Sequence, residues 1–143
     1  MNALAKKAMA AGNNAACWVY RRSSGRIGGT ARGLPVLLLT VPGRKTGKQR
    51  SVPVAYFEHA NGYLVAATAG GSKTSPQWIR NLAATGQAHI EIRGDHQDVD
   101  VRIPEGNERD QLWNDVVLST APSFAKYEEK AGRIIEVALL TPH

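Results

Sequence analysis

The chain has 143 residues, 43% hydrophobic and 21% charged, which is apolar material for one core and not for two. Its single cysteine, Cys17, excludes an internal disulfide and a multi-cysteine zinc site, and no apolar run reaches the roughly 20 residues that span a bilayer. The net charge of +6 hides an asymmetry: residues 1–57 hold ten Lys or Arg and no acid, whereas residues 58–143 hold eight basic and twelve acidic residues.

Residues 2–20 read as a helix, with Leu4, Ala5, Ala8 and Met9 on one face. Residues 21–33 are glycine-rich and basic and read as a mobile connector. This divides the chain into a basic helix with its connector, residues 1–33, and a folded domain over 34–143. Pro35–Val41 is a short apolar run between glycine turns and predicts a buried strand. Ser51–Phe57 predicts a second strand, at an edge or with a bulge because of Pro53. A turn at Asn61-Gly62 leads into Tyr63–Thr68 and completes a hairpin. Ser75-Pro76 predicts a helix start, with the serine as N-cap and the proline at the first helical position. Trp78, Ile79 and Leu82 fall on one face of that helix, and Gly86 ends it.

Ala88, Ile90 and Ile92 then alternate with His89, Glu91 and Arg93. Gly94-Asp95 is compatible with a type II′ turn, after which Val99, Val101 and Ile103 alternate with polar residues. Each of these strands has one buried and one wet face. Residues 105–118 read as a helix with Leu112, Trp113, Val116 and Val117 inward. A short helix near 123–130 and a last strand over Ile134–Leu140 follow. The pattern predicts an α+β fold dominated by β: an antiparallel, Greek-key-like barrel of about six strands with peripheral helices.

The basic first part calls for an anionic partner: a phosphate-bearing cofactor, a membrane surface or nucleic acid. A solvated basic arm is the plain alternative. Few aromatics interleave with the basic residues, which speaks against nucleic acid. Three segments hold candidate chemistry. Gly43-Arg44-Lys45-Thr46-Gly47-Lys48-Gln49-Arg50 lies between two predicted strands. Its glycines permit a sharp turn, its amides an anion nest, and Arg44, Lys45 and Arg50 add positive charge. It is not a Walker A loop, since only three residues separate the glycines and Gln49 follows the lysine. An exposed basic turn is the alternative. Ala69-Gly70-Gly71-Ser72-Lys73-Thr74-Ser75-Pro76-Gln77-Trp78 runs into a helix N-terminus, where amides lack partners. Trp78 there is either a stacking platform or core. Phe124 and Tyr127, at i, i+3 spacing, either line a pocket or anchor a short helix. The histidines show no metal-ligand spacing, so no metal is expected. Cys17 reads as a small buried hydrophobe. If the protein is an enzyme, a borrowed cofactor carries the chemistry.

Taken together, Leu38-Leu39-Thr40, Gly43-Arg44-Lys45-Thr46-Gly47, Arg50, Pro53, the Gly-Gly segment, Ser75-Pro76-Gln77-Trp78 and Asn81 resemble the deazaflavin-dependent nitroreductase family. These are actinobacterial split β-barrel proteins that use coenzyme F420. The resemblance covers about residues 34–141. It implies an F420H2-dependent oxidoreductase that transfers hydride from reduced F420 to an electron-poor acceptor, a quinone or a nitro compound. An FMN-binding oxidoreductase of the same barrel class and a non-catalytic F420 carrier are the alternatives. The resemblance places Arg44, Lys45, Thr46 and Gly47 on the cofactor's phosphate. It places Arg50, Ser51, Val52, Pro53, Val54 and Ala55, then Ala66, Ala67, Thr68 and Ala69, then Gln77, Trp78, Ile79, Arg80 and Asn81 along the cofactor. The substrate pocket would take Trp18, Tyr20, Phe124 and Tyr127, with Tyr127 as the catalytic hydroxyl. The family pattern has three tyrosines by that pocket at three-residue spacing, and here they read Ala121, Phe124 and Tyr127. Its lysine before the Gly-Gly pair is Ala69. The expected location is cytoplasmic, and the N-terminal helix either closes over the substrate, lies on the inner face of the plasma membrane, or packs on its own barrel.

Overall fold

The computed structural model describes residues 3–143, with side chains described from Asn13 onward. The expected apolar face of Leu4, Ala5, Ala8 and Met9 lies outside the described side chains. The element order is α1 (Ala3–Ser23), β1 (Thr30–Ala31), β2 (Leu34–Pro42), β3 (Gln49–His59), β4 (Gly62–Ala66), α2 (Gln77–Thr85), β5 (Gln87–Ile92), β6 (Asp95–Arg102), α3 (Gly106–Leu112), α4 (Ala125–Ala131) and β7 (Val137–Pro142). Strands run in the order β1-β2-β3-β4-β7-β6-β5, and β5 returns to pair with β2 through Leu38↔Glu91, Leu39↔Ile90 and Thr40↔His89. That pairing closes β2 to β7 into an antiparallel barrel and leaves β1 as an extra strand. Closure removes the exposed edges that an open sheet would present.

The continuous apolar run of β2 has a structural cause. Leu37, Leu39 and Val41 face the barrel interior with Val65, Leu82, Ile90, Val99 and Leu140. Val36 and Leu38 face outward and pack under α1 against Cys17 and Tyr20. Both faces are therefore buried, and a strand buried on both sides does not alternate. A second outer cluster (Leu34, Phe57, Leu64, Trp113, Val117, Phe124, Ile135 and Val137) seats the C-terminal helices on the barrel.

Several local expectations shift. The glycine-rich connector is a set of hydrogen-bonded turns: the Gly25 and Arg26 amides donate to Tyr20 and Ser23 carbonyls at 2.9 and 3.2 Å, and the Val36 amide donates to the Gly29 carbonyl at 3.0 Å. Ile92 pairs with Asp95, so Arg93 and Gly94 form the hairpin turn, both with positive φ (48° and 89°). That is the type I′ signature rather than type II′. Pro76 is extended at the α2 cap position, so α2 begins one residue later than the Ser-Pro signal indicates. The expected helix over 105–118 is α-helical to Leu112 and continues as a π-helical segment over Trp113–Leu118. The last strand begins at Val137, and Ile134 is exposed. Glu91, expected on a wet face, is buried because the end of α1 covers it: Arg21 Nε lies 3.8 Å from its carboxylate.

Candidate functional site

The β2–β3 connection carries the basic turn. The Gly47 amide donates to the Gly43 carbonyl and the Gly43 amide to the Lys48 carbonyl, each at 2.8 Å. A turn closed this way uses none of the amides of residues 44–46. Gly47 has φ +74°, which a side chain would strain. The Arg44 amide and guanidinium both donate to Asn81 Oδ1, at 3.1 and 2.8 Å. Asn81 is buried on α2, so this contact fixes the turn against the helix that carries Trp78. The two motifs are therefore brought together. The Lys45 and Thr46 amides have no acceptor among the described residues. Thr46 Oγ1 accepts from the Lys48 amide at 3.2 Å, which leaves its own proton to donate. Arg44, Lys45, Lys48 and Arg50 stand exposed around these donors.

On β3, Val52 and Val54 pack toward the interior core, whereas Ser51 bonds outward. Ser51 Oγ lies 2.7 Å from Thr40 Oγ1 and accepts from Arg21 Nη2 at 2.8 Å. Arg21 is thus a cation beside the candidate strand that the motif reading missed. Its one sequence signal is its place among the basic residues in the last turn of α1. Trp78 is half-buried and packs against the barrel core, with one side left accessible.

Phe124 and Tyr127 are brought together edge to face at 5.1 Å, and Phe124 meets Phe57 the same way at 5.7 Å. The Tyr127 hydroxyl accepts a hydrogen bond from Arg32 Nη1, and the Arg32 guanidinium lies 5.6 Å from the ring centroid. Because the oxygen accepts from Arg32, the phenolic proton is left for another acceptor.

Three expected positions need correction. Tyr20 does not line a pocket: it is 1% exposed. Its hydroxyl donates to the Val36 carbonyl at 2.9 Å and accepts from the Arg93 amide at 2.9 Å, so it braces α1 on β2 and β5. Burial pushes its phenol pKa up, which keeps it a donor. The side chains of Ile79 and Ala67 are buried in the interior core rather than turned to the surface. Trp18, by contrast, is 65% exposed on α1. Cys17 is buried, and burial pushes its thiol pKa up, the opposite of what a nucleophile needs.

Residues 14–142 match the family model described as F420H(2)-dependent quinone reductase. The chain is 32% identical to the F420H(2)-dependent quinone reductase Rv1261c of Mycobacterium tuberculosis over 126 residues, which is 86% of this chain and 85% of that protein. It is 35% identical to the putative F420H(2)-dependent quinone reductase Rv3178 of the same organism, over 82% of this chain and 98% of that protein. Among solved structures it is similar to an F420-H2 dependent reductase, with a TM-score of 0.65 and 31% identity, covering 74% of this chain and 93% of that one.

Proposed function

The chain belongs to the F420H(2)-dependent quinone reductase family and is an F420H2-dependent oxidoreductase, and from that premise we propose how its residues divide the work. The donor set fits an anionic cofactor. Free backbone amides at 45 and 46, the Thr46 hydroxyl and the cations at 44, 45 and 50 meet in a stretch of sequence that holds no acid. Charge-assisted hydrogen bonds from such donors are about twice as strong as neutral ones. Arg44, Lys45, Thr46 and Gly47 hold the phosphate. Arg50 through Ala55, the backbone of Ala66 through Ala69, and Gln77, Trp78 and Arg80 border the ring, with Asn81 acting through Arg44. The single observation that carries this reading is the double hydrogen bond from Arg44 to Asn81, which joins turn and helix into one wall.

The chemistry that the reduced cofactor supplies when bound is a hydride for an electron-poor acceptor. The chain's own part is to orient the acceptor within roughly 3–3.5 Å of the donating carbon and to stabilise the oxygen on which charge grows. Phe124, buried against Phe57, supports the Tyr127 ring from behind. Tyr127, its oxygen engaged by Arg32, turns its proton toward the acceptor oxygen. With hydroxyls absent at 121 and 124, a quinone suits this pocket better than a nitroaromatic.

Titration of the ligand-free protein with F420, followed by the tryptophan fluorescence lost on binding in wild type and compared with Trp78→Phe, tests the cofactor reading. No binding at micromolar cofactor overturns it. Oxidation of F420H2 is then followed with a menaquinone analogue and with a nitroimidazole. Faster turnover of the quinone is the expected order, and the reverse order overturns the acceptor assignment.

The exposed Trp18 and Ile27, beside Arg21, Arg22 and Arg26, fit weak attachment of this end to an anionic lipid surface, where quinones dissolve. No helix among the described residues is long and apolar enough to cross a membrane. Sedimentation with vesicles containing phosphatidylglycerol, lost in Trp18→Ala, is the expected result. Equal sedimentation of the variant refutes the attachment.

A further inference from the structure

The Gly-Gly segment between β4 and α2 is held from behind by the C-terminal part of the chain. Arg133 Nε donates to the Ser72 carbonyl at 3.0 Å, and its Nη2 donates to the Ala67 and Thr68 carbonyls at 3.0 and 3.5 Å. Its Nη1 donates to Glu136 Oε1 at 3.0 Å, and Glu136 Oε2 accepts from Ser75 Oγ at 2.6 Å. Lys130 Nζ reaches the Gly70 carbonyl at 3.4 Å, and its side chain fills the place a Cβ at Gly71 would need, 2.8 Å away. One partly buried guanidinium thus gathers three carbonyls of the same loop. Each N–H of a trans peptide points opposite to the carbonyl of the preceding residue. Carbonyls of Ala67, Thr68 and Ser72 turned onto Arg133 therefore turn the amides of Thr68, Ala69 and Lys73 away from it. Those three amides have no acceptor among the described residues, although Gly71 and Ser72, within the same loop, donate to Thr68 and Ala69 carbonyls at 2.8 and 3.1 Å.

We propose that Arg133, locked by Glu136, is a positioning residue for cofactor binding: it gathers the carbonyls of the Gly-Gly loop on one side and so presents the Thr68, Ala69 and Lys73 amides as donors to the deazaflavin's oxygens. This rests on the cofactor reading above, and it adds to the 43–50 turn a second donor set built by residues more than sixty positions downstream of the loop's start. Arg133 touches no ligand. It acts through the loop, as a fork of donors that a lysine ammonium cannot replace.

The test uses the full chain with Arg133→Lys and Glu136→Gln, both at a temperature well below the melting transition of each variant. In ligand-free protein, the Gly71 and Ser72 amides, which are hydrogen-bonded within the loop, are expected to exchange with deuterium faster in Arg133→Lys than in wild type, with barrel amides unchanged. The F420 dissociation constant and the KM for F420H2 are expected to rise about tenfold in Arg133→Lys and about threefold in Glu136→Gln. At saturating cofactor kcat is expected to stay within twofold, a split that general destabilisation does not give. Wild-type affinity in both variants, or unaltered loop exchange in Arg133→Lys, overturns the proposal. Failure of the wild type itself to bind F420 overturns the cofactor reading instead, while the exchange measurement still judges whether Arg133 holds the loop.

Discussion

The 43–50 turn and the outer face of the β5–β6 hairpin are both exposed and both crowded with charge, but they are built on opposite principles. On the hairpin the chain supplies both partners. Asp98 meets His89 at 2.9 Å, His89 meets His96 at 2.9 Å, and His96 lies 3.4 Å from Glu91, which Arg21 also faces. At the C-terminus His143 pairs with Asp100 at 2.9 Å. Nothing on that face asks for a ligand. At the turn, four cations and two free amides converge with no carboxylate among the described contacts of Arg44, Lys45, Lys48 or Arg50. Exposed pairs that satisfy each other add little stability and need no partner. Unmatched donors of one sign are costly to hold together and are relieved by an anion. That difference, more than total charge, is what favours the cofactor reading proposed for the turn.

Substitutions can break this contrast at either end. The largest expected effect is at Tyr127, the proposed donor to the acceptor oxygen, whose own proton the Arg32 contact leaves free. Tyr127→Phe should lower kcat for a quinone by about 10²- to 10³-fold, the loss of one oxyanion donor, with F420 affinity unchanged. Stopped-flow oxidation of F420H2 measures it, and a kcat within threefold of wild type removes Tyr127 from the chemistry. Next comes the turn itself. Arg44→Ala with Lys45→Ala should weaken F420 binding about 100-fold, two charged hydrogen bonds at about 1.5–3 kcal/mol each less compensation from the remaining donors. Binding to the wild type should also weaken with added salt, and more steeply than in the double variant. Fluorescence titration at two ionic strengths gives both numbers, and equal salt slopes contradict an electrostatic grip.

The self-satisfied region answers differently. Tyr20→Phe leaves the Arg93 amide and the Val36 carbonyl short of a partner and should cost about 1–3 kcal/mol in urea unfolding, with cofactor affinity within twofold. The smallest effect is at Asp98. The hydrogen bond from His89 holds its carboxyl below the usual carboxylate range. A depressed folded-state pKa stabilises the protein above the unfolded-state value, and that gain disappears as pH falls through the depressed value. Asp98→Asn should therefore lower the melting temperature slightly and evenly above about pH 5, with the difference closing on further acidification. A difference that grows toward low pH would show that the pairing is not what matters there.

Much of this was legible along the chain. The apolar run of β2, the two strands of the β5–β6 hairpin, the Gly86 stop and the acid-free basic turn are local patterns, set by side-chain period and backbone sterics, and each appears where its residues predict it. The chain order of the motifs carried the family, because every motif lies within one short segment. What stayed hidden depends on residues far apart. Tyr20 looks like a pocket aromatic in a basic helix, and only the packing of α1 on β2 and β5 turns it into a buried brace. Glu91 reads as a wet strand residue until the end of α1 covers it. Arg133 has no motif around it, and its role arises because β7 lies beside β4 and brings residue 133 to the loop that starts at 67. The sequence by itself determined which segments form strands and turns and where positive charge goes unmatched, since both follow from neighbours in the chain. Only the tertiary structure decided which side chains are braces, which are donors and what holds the loops, because hydrogen bonds and burial depend on what closure of the barrel sets side by side.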